Sequence, residues 1–145
     1  MIYTIENPEK TEEIGYKLAR SLSESGIKRA FIAMRGEMGV GKTVFTRGFA
    51  SYFGISGVKS PTYTIVNEYS SAETRIFHFD LYRITDSDDL ASIGYDDYIL
   101  KDGYVIAEWS ERIPEDIPED AVFVRISRSP LGDGYRIIEI EGAEL

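Results

Sequence analysis

The chain contains the octet Gly36-Glu37-Met38-Gly39-Val40-Gly41-Lys42-Thr43, which matches the pattern G-x-x-x-x-G-K-[ST] at every required position. In this pattern the glycines let backbone N–H groups curve around a β-phosphate. The lysine reaches the β and γ oxygens, and the hydroxyl faces a Mg²⁺ ion. A chain of 145 residues contains the pattern by chance on the order of once in a hundred. The octet therefore predicts a site for a nucleoside triphosphate and Mg²⁺.

The residues on either side of the octet supply the expected context. Residues Ala30–Arg35 read as a short buried strand that runs into the loop, and Thr43–Phe53 read as a helix that ends near Gly54. A helix that begins at the loop adds its dipole to an anion site. The alternative is a glycine turn with a surface lysine, and the strand–loop–helix order favours the phosphate site over it.

Composition limits the classes of function. The 145 residues suit one domain, contain no cysteine and only one histidine, and carry a formal charge of −9 at pH 7. Disulfides, thiol catalysis and multi-histidine metal clusters are excluded. The charge argues against a broad grip on nucleic acid by this chain alone, although a partner could supply the basic surface. With no apolar span and no signal segment, we expect a cytoplasmic protein.

The remaining pattern predicts an α/β fold with a mixed, partly antiparallel sheet. Cap signals and apolar spacing place a helix from Asn7–Pro8 to near Gly26, and a short one from a cap at Thr85 through Leu90, Ile93 and Tyr98. Alternating and β-branched stretches predict strands at Met1–Ile5 (an edge strand), Thr62–Tyr69, Thr74–Tyr82, Tyr104–Ala107, Ala121–Ser127 and Tyr135–Ile140. We expect residues 1–145 to form a single domain.

Two acidic residues follow apolar strands. Asp80 ends Ile76–Asp80 and Glu108 ends Tyr104–Glu108. Ligands of α/β sheets bind at the carboxyl ends of strands, and a phosphate loop needs an acidic neighbour to hold Mg²⁺ or to orient water. We therefore expect at least one of the two carboxylates to reach the metal shell. The sequence leaves open which one lies closer.

Two further features have both a functional and an ordinary interpretation, and a third, His78, has only an ordinary one. The hydroxyl-rich stretch Ser60-Pro61-Thr62-Tyr63-Thr64 is a candidate switch that senses the γ-phosphate, or an ordinary turn into a strand. Trp109 follows Glu108 and either covers the site or belongs to the core. His78, between two phenylalanines, is expected to be a hydrogen-bonded histidine of the core or sheet face.

Taken together and in this order, four segments resemble the TsaE (YjeE) family of bacterial ATPases. They are the octet, Ser60-Pro61-Thr62-Tyr63-Thr64-Ile65-Val66, His78-Phe79-Asp80-Leu81-Tyr82-Arg83 and Ile106-Ala107-Glu108-Trp109. The resemblance covers nearly the whole chain. Many families share the octet, but the combination with S-P-T-Y, H-F-D-L-Y-R and E-W is far more restrictive. The resemblance implies a P-loop NTPase-like three-layer fold in a single P-loop ATPase domain spanning residues 1–145.

The family takes part in making N6-threonylcarbamoyladenosine at position 37 of tRNA. The resemblance therefore implies a slow ATPase that uses ATP/ADP and Mg²⁺ and works in complex with TsaB and TsaD. The protein would contact tRNA only indirectly, through that complex, and would not bind a membrane. Carried over by position, Lys42 and Asp80 would be catalytic, Thr43 and Glu108 would hold the metal, and Ser60, Pro61 and Thr62 would form the switch. The nucleotide-binding residues would be Thr11, Glu37, Met38, Gly39, Val40, Gly41, Lys42, Thr43 and Trp109.

Other nucleotide-dependent classes remain as alternatives. A small-molecule P-loop kinase needs an arginine-rich lid and an acceptor pocket, and no such insertion follows the octet. A GTPase needs an N-K-x-D element, which is absent from the sequence. A third alternative is a nucleotide-gated interaction module with incidental hydrolysis. It differs from the ATPase hypothesis only in whether tRNA modification needs ATP turnover or ATP binding alone. Efficient hydrolysis also needs an extra cation, often an arginine supplied by a partner; Arg83 stays open as one from this chain.

Overall fold

A computed structural model describes residues 1–61 and 65–145. The strands are β1 (Ile2–Ile5), β2 (Ala30–Arg35), β3 (Val66–Ser70), β4 (Arg75–Asp80), β5 (Tyr104–Glu108), β6 (Val122–Arg128) and β7 (Arg136–Glu141). The helices are α1 (Pro8–Glu24), α2 (Lys42–Tyr52), α3 (Ser87–Ser92) and α4 (Tyr95–Ile99), with single 3₁₀ turns at Ser110–Arg112 and Pro114–Asp116. Within the described ranges, no helix combines the length and apolar character needed to cross a bilayer.

The strands form one mixed sheet, as the sequence predicts. In the described part of the chain its seven strands lie in the order β1-β7-β6-β2-β5-β4-β3. The neighbours β6, β2, β5 and β4 run parallel, whereas β3 pairs with β4, and β7 with β6 and β1, in antiparallel fashion. The expected position of β1 at a sheet edge is confirmed. The parallel strands bring their carboxyl ends to one edge, where the loop after β2 also lies.

Side chains alternate between the two faces of the sheet and form two apolar cores. Ile32 and Met34 of β2 face a core that also contains residues of α1 and α2, such as Leu18 and Phe45. Phe31 and Ala33, which point the other way, pack with residues of the α3–α4 region such as Tyr95. The sheet therefore lies between two helical layers, and the predicted three-layer α/β fold is confirmed.

The short helical region after β4 differs from the prediction in two respects. The cap is Asp86 rather than Thr85: the Asp86 side chain accepts a hydrogen bond from the Asp89 N–H, and the Asp89 carboxylate accepts bonds from the N–H and hydroxyl of Thr85. Thr85 and Asp86 both have side chains that can cap a helix. The hydrogen bonds exchanged with Asp89 show that Asp86 is the N-cap of α3. The predicted single helix is also wrong, because Gly94 adopts a left-handed conformation and separates α3 from α4.

Helices α1 and α2 touch through glycines that leave no room for a side chain. A Cβ atom on Gly48 would lie 2.0 Å from the carbonyl oxygen of Glu12, and one on Gly15 would lie 2.2 Å from the carbonyl oxygen of Phe45. Each glycine thus faces the backbone of the other helix. Because α2 directly follows the phosphate loop, this contact fixes the loop against α1.

We expect Gly48→Ala to destabilise the protein, because the added methyl would have to push two backbones apart. Overpacking of a tight core costs about 1–3 kcal/mol. Thermal unfolding of the purified variant measures the effect. The matched control is Arg47→Ala, which removes an exposed ion pair with Glu12 and should change stability by about 1 kcal/mol or less. An equal loss in both variants would contradict the close-contact interpretation.

Candidate functional site

The predicted phosphate loop connects β2 to α2. Gly39 and Gly41 have φ angles of 79° and 114°, and Gly41 caps the helix that starts at Lys42. A residue with a side chain is strained at these angles, so both positions favour glycine. The loop therefore has the backbone conformation, and the adjoining helix N-terminus, that bind an anionic phosphate.

Lys42 is buried although it carries a charge. Its Nζ donates a hydrogen bond to the Gly36 carbonyl oxygen at 2.5 Å and lies 4.0 Å from the centroid of the Trp109 ring. Burial lowers the pKa of the Lys42 ammonium, and the nearby carboxylates of Glu108, Glu111 and Asp80 partly oppose that shift. The ammonium is therefore held at the loop by a carbonyl and an aromatic face.

The two candidate carboxylates are neighbours on adjacent parallel strands. Asp80 of β4 and Glu108 of β5 are register partners at the ends of their strands. Glu108 Oε2 lies 3.5 Å from Thr43 Oγ1, and Asp80 Oδ1 accepts a bond from the Tyr82 N–H at 3.0 Å. Burial, followed by the charge of Glu108, raises the pKa of Asp80, and the Tyr82 N–H, Lys42 and His78 oppose that rise. The site thus keeps two carboxyl groups close together in a partly dehydrated position.

These residues surround one cleft of about 450 Å³. Its lining combines the loop, the strand ends and the segment before β3: Met38, Gly39, Gly41, Lys42, Thr43, Val44, Ser60, Ile65, Asp80, Tyr82, Arg83, Glu108 and Trp109. Of the residues chosen from sequence, it brings together most of the loop, both carboxylates, Trp109 and Ser60. Arg83, left open from the sequence, is exposed and lines the same cleft.

Four other predicted site residues, Thr11, Glu37, Val40 and Pro61, are not part of the cleft lining. Glu37 is exposed and Pro61 is buried. Val40 packs in the core beside α1 and α2, so only its backbone belongs to the loop surface. Thr11 is buried, and its Cγ2 lies 3.8 Å from where a Cβ of Gly41 would be. Thr62, the third predicted switch residue, lies outside the described residues.

Aromatic stacking extends the cleft beyond the predicted residues. Tyr82 packs its ring 5.0 Å from that of Trp109, and the Arg112 guanidinium carbon lies 5.3 Å from the Tyr82 ring centroid. Trp109 itself has a left-handed φ of 60°, a conformation that is uncommon for a bulky residue. This turn places the Trp109 ring over Lys42. Tyr82 stands within the H-F-D-L-Y-R segment, so the sequence contained a signal for it.

Two arginines that the sequence did not assign hold the outside of the loop. Arg128 Nη2 donates to the Met38 carbonyl oxygen at 3.4 Å, and Arg136 Nε donates to the Val40 carbonyl oxygen at 3.2 Å. They come from the facing ends of β6 and β7. Nothing in their local sequence indicates these contacts, because the partners lie about ninety residues away.

Buried polar contacts also connect the cleft to the sheet. Ser110 donates its hydroxyl to the Met34 carbonyl oxygen at 3.0 Å and is fully buried. His78 is a buried histidine, as expected, and its Nε2 lies 2.5 Å from Glu108 Oε2. The sequence predicted a hydrogen-bonded His78 in the core or on a sheet face; the structure selects the core, and the sequence gave no sign of the Glu108 partner.

The chemistry of the cleft fits a magnesium nucleotide. Mg²⁺ prefers oxygen ligands and is usually bound by one or two protein groups together with substrate phosphates and water. The Thr43 hydroxyl and the Glu108 carboxylate supply two such oxygens beside the loop. Lys42 supplies the positive charge that a phosphate needs. The residues present therefore suit the ligand that the octet predicts.

Comparisons with known proteins agree with the observed fold. The family model "TsaE: Threonylcarbamoyl adenosine biosynthesis protein TsaE" matches residues 5–137. The "tRNA threonylcarbamoyladenosine biosynthesis protein TsaE" of Haemophilus influenzae is 41% identical over 114 residues, which cover 77% of this chain and 72% of that protein. The Bacillus subtilis protein of the same name is 36% identical over 133 residues, covering 91% of this chain and 79% of its own length.

A solved structure shares the fold. The "Crystal structure of Bacillus subtilus YdiB" superposes with a TM-score of 0.75 at 30% sequence identity, covering 95% of this chain and 82% of the other. The family model spans most of the chain, and the fold that it implies is the one observed. The chain belongs to the TsaE family.

Proposed function

We propose that this protein is the ATP-binding and ATP-hydrolysing component of the bacterial machinery that makes N6-threonylcarbamoyladenosine at position 37 of tRNA. The observation that carries the proposal is the convergence of Lys42, Thr43, Asp80 and Glu108 on one cleft. Family membership supplies the pathway, since relatives are named for this biosynthesis. A role in tRNA modification supports a cytoplasmic location.

The proposal assigns a role to each principal residue chosen from the sequence. Lys42 binds the β and γ oxygens of ATP, and Thr43 and Glu108 hold Mg²⁺. When bound, Mg²⁺ neutralises the charge that develops on the transferred phosphoryl group. Asp80 orients or deprotonates the attacking water, a role supported by its raised pKa and its position beside Glu108. In this proposal Trp109 borders the nucleotide, Thr11 at the start of α1 approaches the adenine, and Ser60, Pro61 and Thr62 form the switch.

TsaB and TsaD are the proposed partners, with tRNA met only through their complex. Efficient hydrolysis usually requires a cation on the γ-phosphate, and a partner's arginine is worth about 10³–10⁵ in rate. In the described part of the chain, Arg83 is the arginine that lines the cleft, but it is exposed and lies on the segment after β4. We therefore propose that the free protein hydrolyses ATP slowly and that docking with its partners completes the site.

The experiment that tests the function is steady-state ATP hydrolysis by the purified protein, alone and with a TsaB–TsaD pair. We expect slow turnover alone and at least about tenfold stimulation by the pair, because a partner cation stabilises the transition state. Omission of Mg²⁺ should abolish both rates. Tight ATP binding without stimulation would count against the tRNA-modification role and would direct attention to the kinase alternative.

Lys42→Ala should weaken ATP binding by about 10–100-fold, because hydrogen bonds to charged groups contribute about 1.5–3 kcal/mol. Calorimetric titration with ATP measures the loss. Lys101→Ala is the matched control: that lysine also lies over aromatic rings, 4.7 Å from the Tyr98 centroid, but not in the cleft. It should keep ATP affinity within about twofold. Similar affinities in the two variants would contradict the role of Lys42.

Asp80→Asn should keep ATP binding and lose turnover, because the amide preserves the shape but cannot take a proton. Hydrolysis and the modified-nucleoside content of tRNA, measured by mass spectrometry in the reconstituted system, separate two hypotheses. The enzyme proposal expects both to fall by about 10²–10⁴-fold, the range for a general acid–base group. If modification survived without turnover, the protein would instead be a nucleotide-gated interaction module.

The same substitution should stabilise the free protein at neutral pH. Burial raises the pKa of Asp80, so its ionisation disfavours the folded state as pH rises above the ordinary range of an aspartate. Asp89→Asn is the control of opposite sign, because hydrogen bonds from Thr85 lower the pKa of Asp89 and its ionisation favours folding. The unfolding temperature should therefore rise for Asp80→Asn and fall for Asp89→Asn, with both differences shrinking in acid. Shifts of the same sign would contradict these pKa directions.

A further inference from the structure

His78 and Glu108 form a buried pair directly beneath the cleft. Their side chains are 0% and 6% exposed, and His78 Nε2 lies 2.5 Å from Glu108 Oε2. Glu108 lines the cleft, whereas His78 is not part of that lining. The histidine therefore cannot meet a ligand directly, and any influence that it has on the site must act through Glu108.

The pairing bears on which ring nitrogen carries a proton. With an ionised carboxylate as its partner, His78 Nε2 is the donor, because such a carboxylate only accepts hydrogen bonds. Among the residues that the structure describes, His78 Nδ1 has no hydrogen-bond partner although it is buried. Buried polar atoms without partners are uncommon and unfavourable. Within residues 1–61 and 65–145, Glu108 is therefore the hydrogen-bond partner that orients the imidazole, and the core retains an unpaired Nδ1 next to the cleft.

Strand geometry explains why the two side chains meet. His78 pairs with Ile106 and Asp80 pairs with Glu108 in the parallel register of β4 and β5. His78 and Glu108 are therefore diagonal neighbours on the same face of the sheet. The bond to His78 restricts rotation of the Glu108 carboxylate, and the same oxygen, Oε2, lies within 3.5 Å of Thr43 Oγ1. A histidine at this position constrains the geometry between the carboxylate and the loop hydroxyl.

We propose that His78 is a positioning residue that holds the Glu108 carboxylate in the orientation needed to bind the Mg²⁺ of a bound nucleotide. The inference rests on the proposed function, because it assigns His78 to the metal half of the same site. It separates two contributions to binding: Lys42 and the loop bind phosphate, and the His78–Glu108 pair serves the metal. Loss of the pair should therefore affect Mg²⁺ affinity more than affinity for the nucleotide alone.

The test compares ADP binding in excess Mg²⁺ and in EDTA, by calorimetry, for the parent protein and three variants. His78→Phe keeps a flat ring without a donor, and His78→Gln keeps a donor of similar reach. Ile76→Val removes a methylene from the same strand and the same face of the sheet without touching Glu108. If His78→Phe does not unfold cooperatively, His78→Met replaces it. Titration of each variant's ADP complex with Mn²⁺, followed by electron paramagnetic resonance, measures metal affinity directly.

The expected result is a selective loss. Removing a residue that orients a metal ligand lowers metal affinity by about 10–100-fold. His78→Phe should lose this factor in Mn²⁺ affinity and in the Mg²⁺-dependent gain of ADP affinity, with ADP binding in EDTA unchanged. His78→Gln should recover most of the loss, and Ile76→Val should show none. Proton NMR offers an independent check, since the chain's one histidine should show a slowly exchanging proton on Nε2.

The outcomes distinguish this inference from the proposed function. A parent protein that binds ADP in neither buffer overturns the proposed function and the role of His78 with it. If Mg²⁺ increases the ADP affinity of the parent protein and increases that of His78→Phe to the same extent within about twofold, only the role of His78 is overturned. An equal loss in His78→Phe and Ile76→Val, or a slowly exchanging proton on Nδ1 instead of Nε2, also overturns it.

Discussion

The position of the phosphate loop depends on a backbone-to-backbone contact between two helices. At Gly15 and Gly48 the surfaces of α1 and α2 approach so closely that a methyl group on either glycine would overlap the other helix. Packing at this distance leaves little freedom for α2 to tilt or slide. The first turn of α2 forms part of the loop, so the contact sets where Lys42 and Thr43 stand relative to the strand ends. The chemistry of the cleft therefore depends on a contact between two glycines, Gly15 and Gly48, that are not part of the cleft lining.

Burial in the cleft disfavours the charged forms of both Lys42 and Asp80. Burial lowers the pKa of Lys42 and raises that of Asp80, so dehydration works against the charged form of each group. Groups held in place and partly stripped of water need little rearrangement when a charged ligand arrives. The Trp109 ring and the Gly36 carbonyl oxygen hold the Lys42 ammonium in place. The cleft thus holds the Lys42 ammonium and the Asp80 carboxyl group in fixed, partly dehydrated positions.

Local features of the sequence predicted the fold class, most element bounds and the principal cleft residues. Asn7 caps α1, as its residue type predicts, and the octet forms the predicted loop followed by the predicted helix. Contacts between distant residues were not predictable in the same way. The Glu108 partner of His78 is 30 residues away, and the loop contact of Arg136 spans 96. These pairs follow from strand order and register, which local pattern does not specify. Even the cap of α3 shifted by one residue, because two adjacent polar side chains compete for it.

The arginines on β6 and β7 have a consequence for the order in which this protein is built. Ribosomal synthesis releases the octet long before Arg128 and Arg136, yet these two side chains hold the outer carbonyl groups of the loop. The antiparallel partner of β1 is likewise the last strand in chain order. The nascent chain can therefore form α1, β2 and α2 early, but its loop gains this support only once the last hairpin has emerged. The carbonyl groups of Met38 and Val40 therefore acquire their arginine partners only after β6 and β7 have been synthesised.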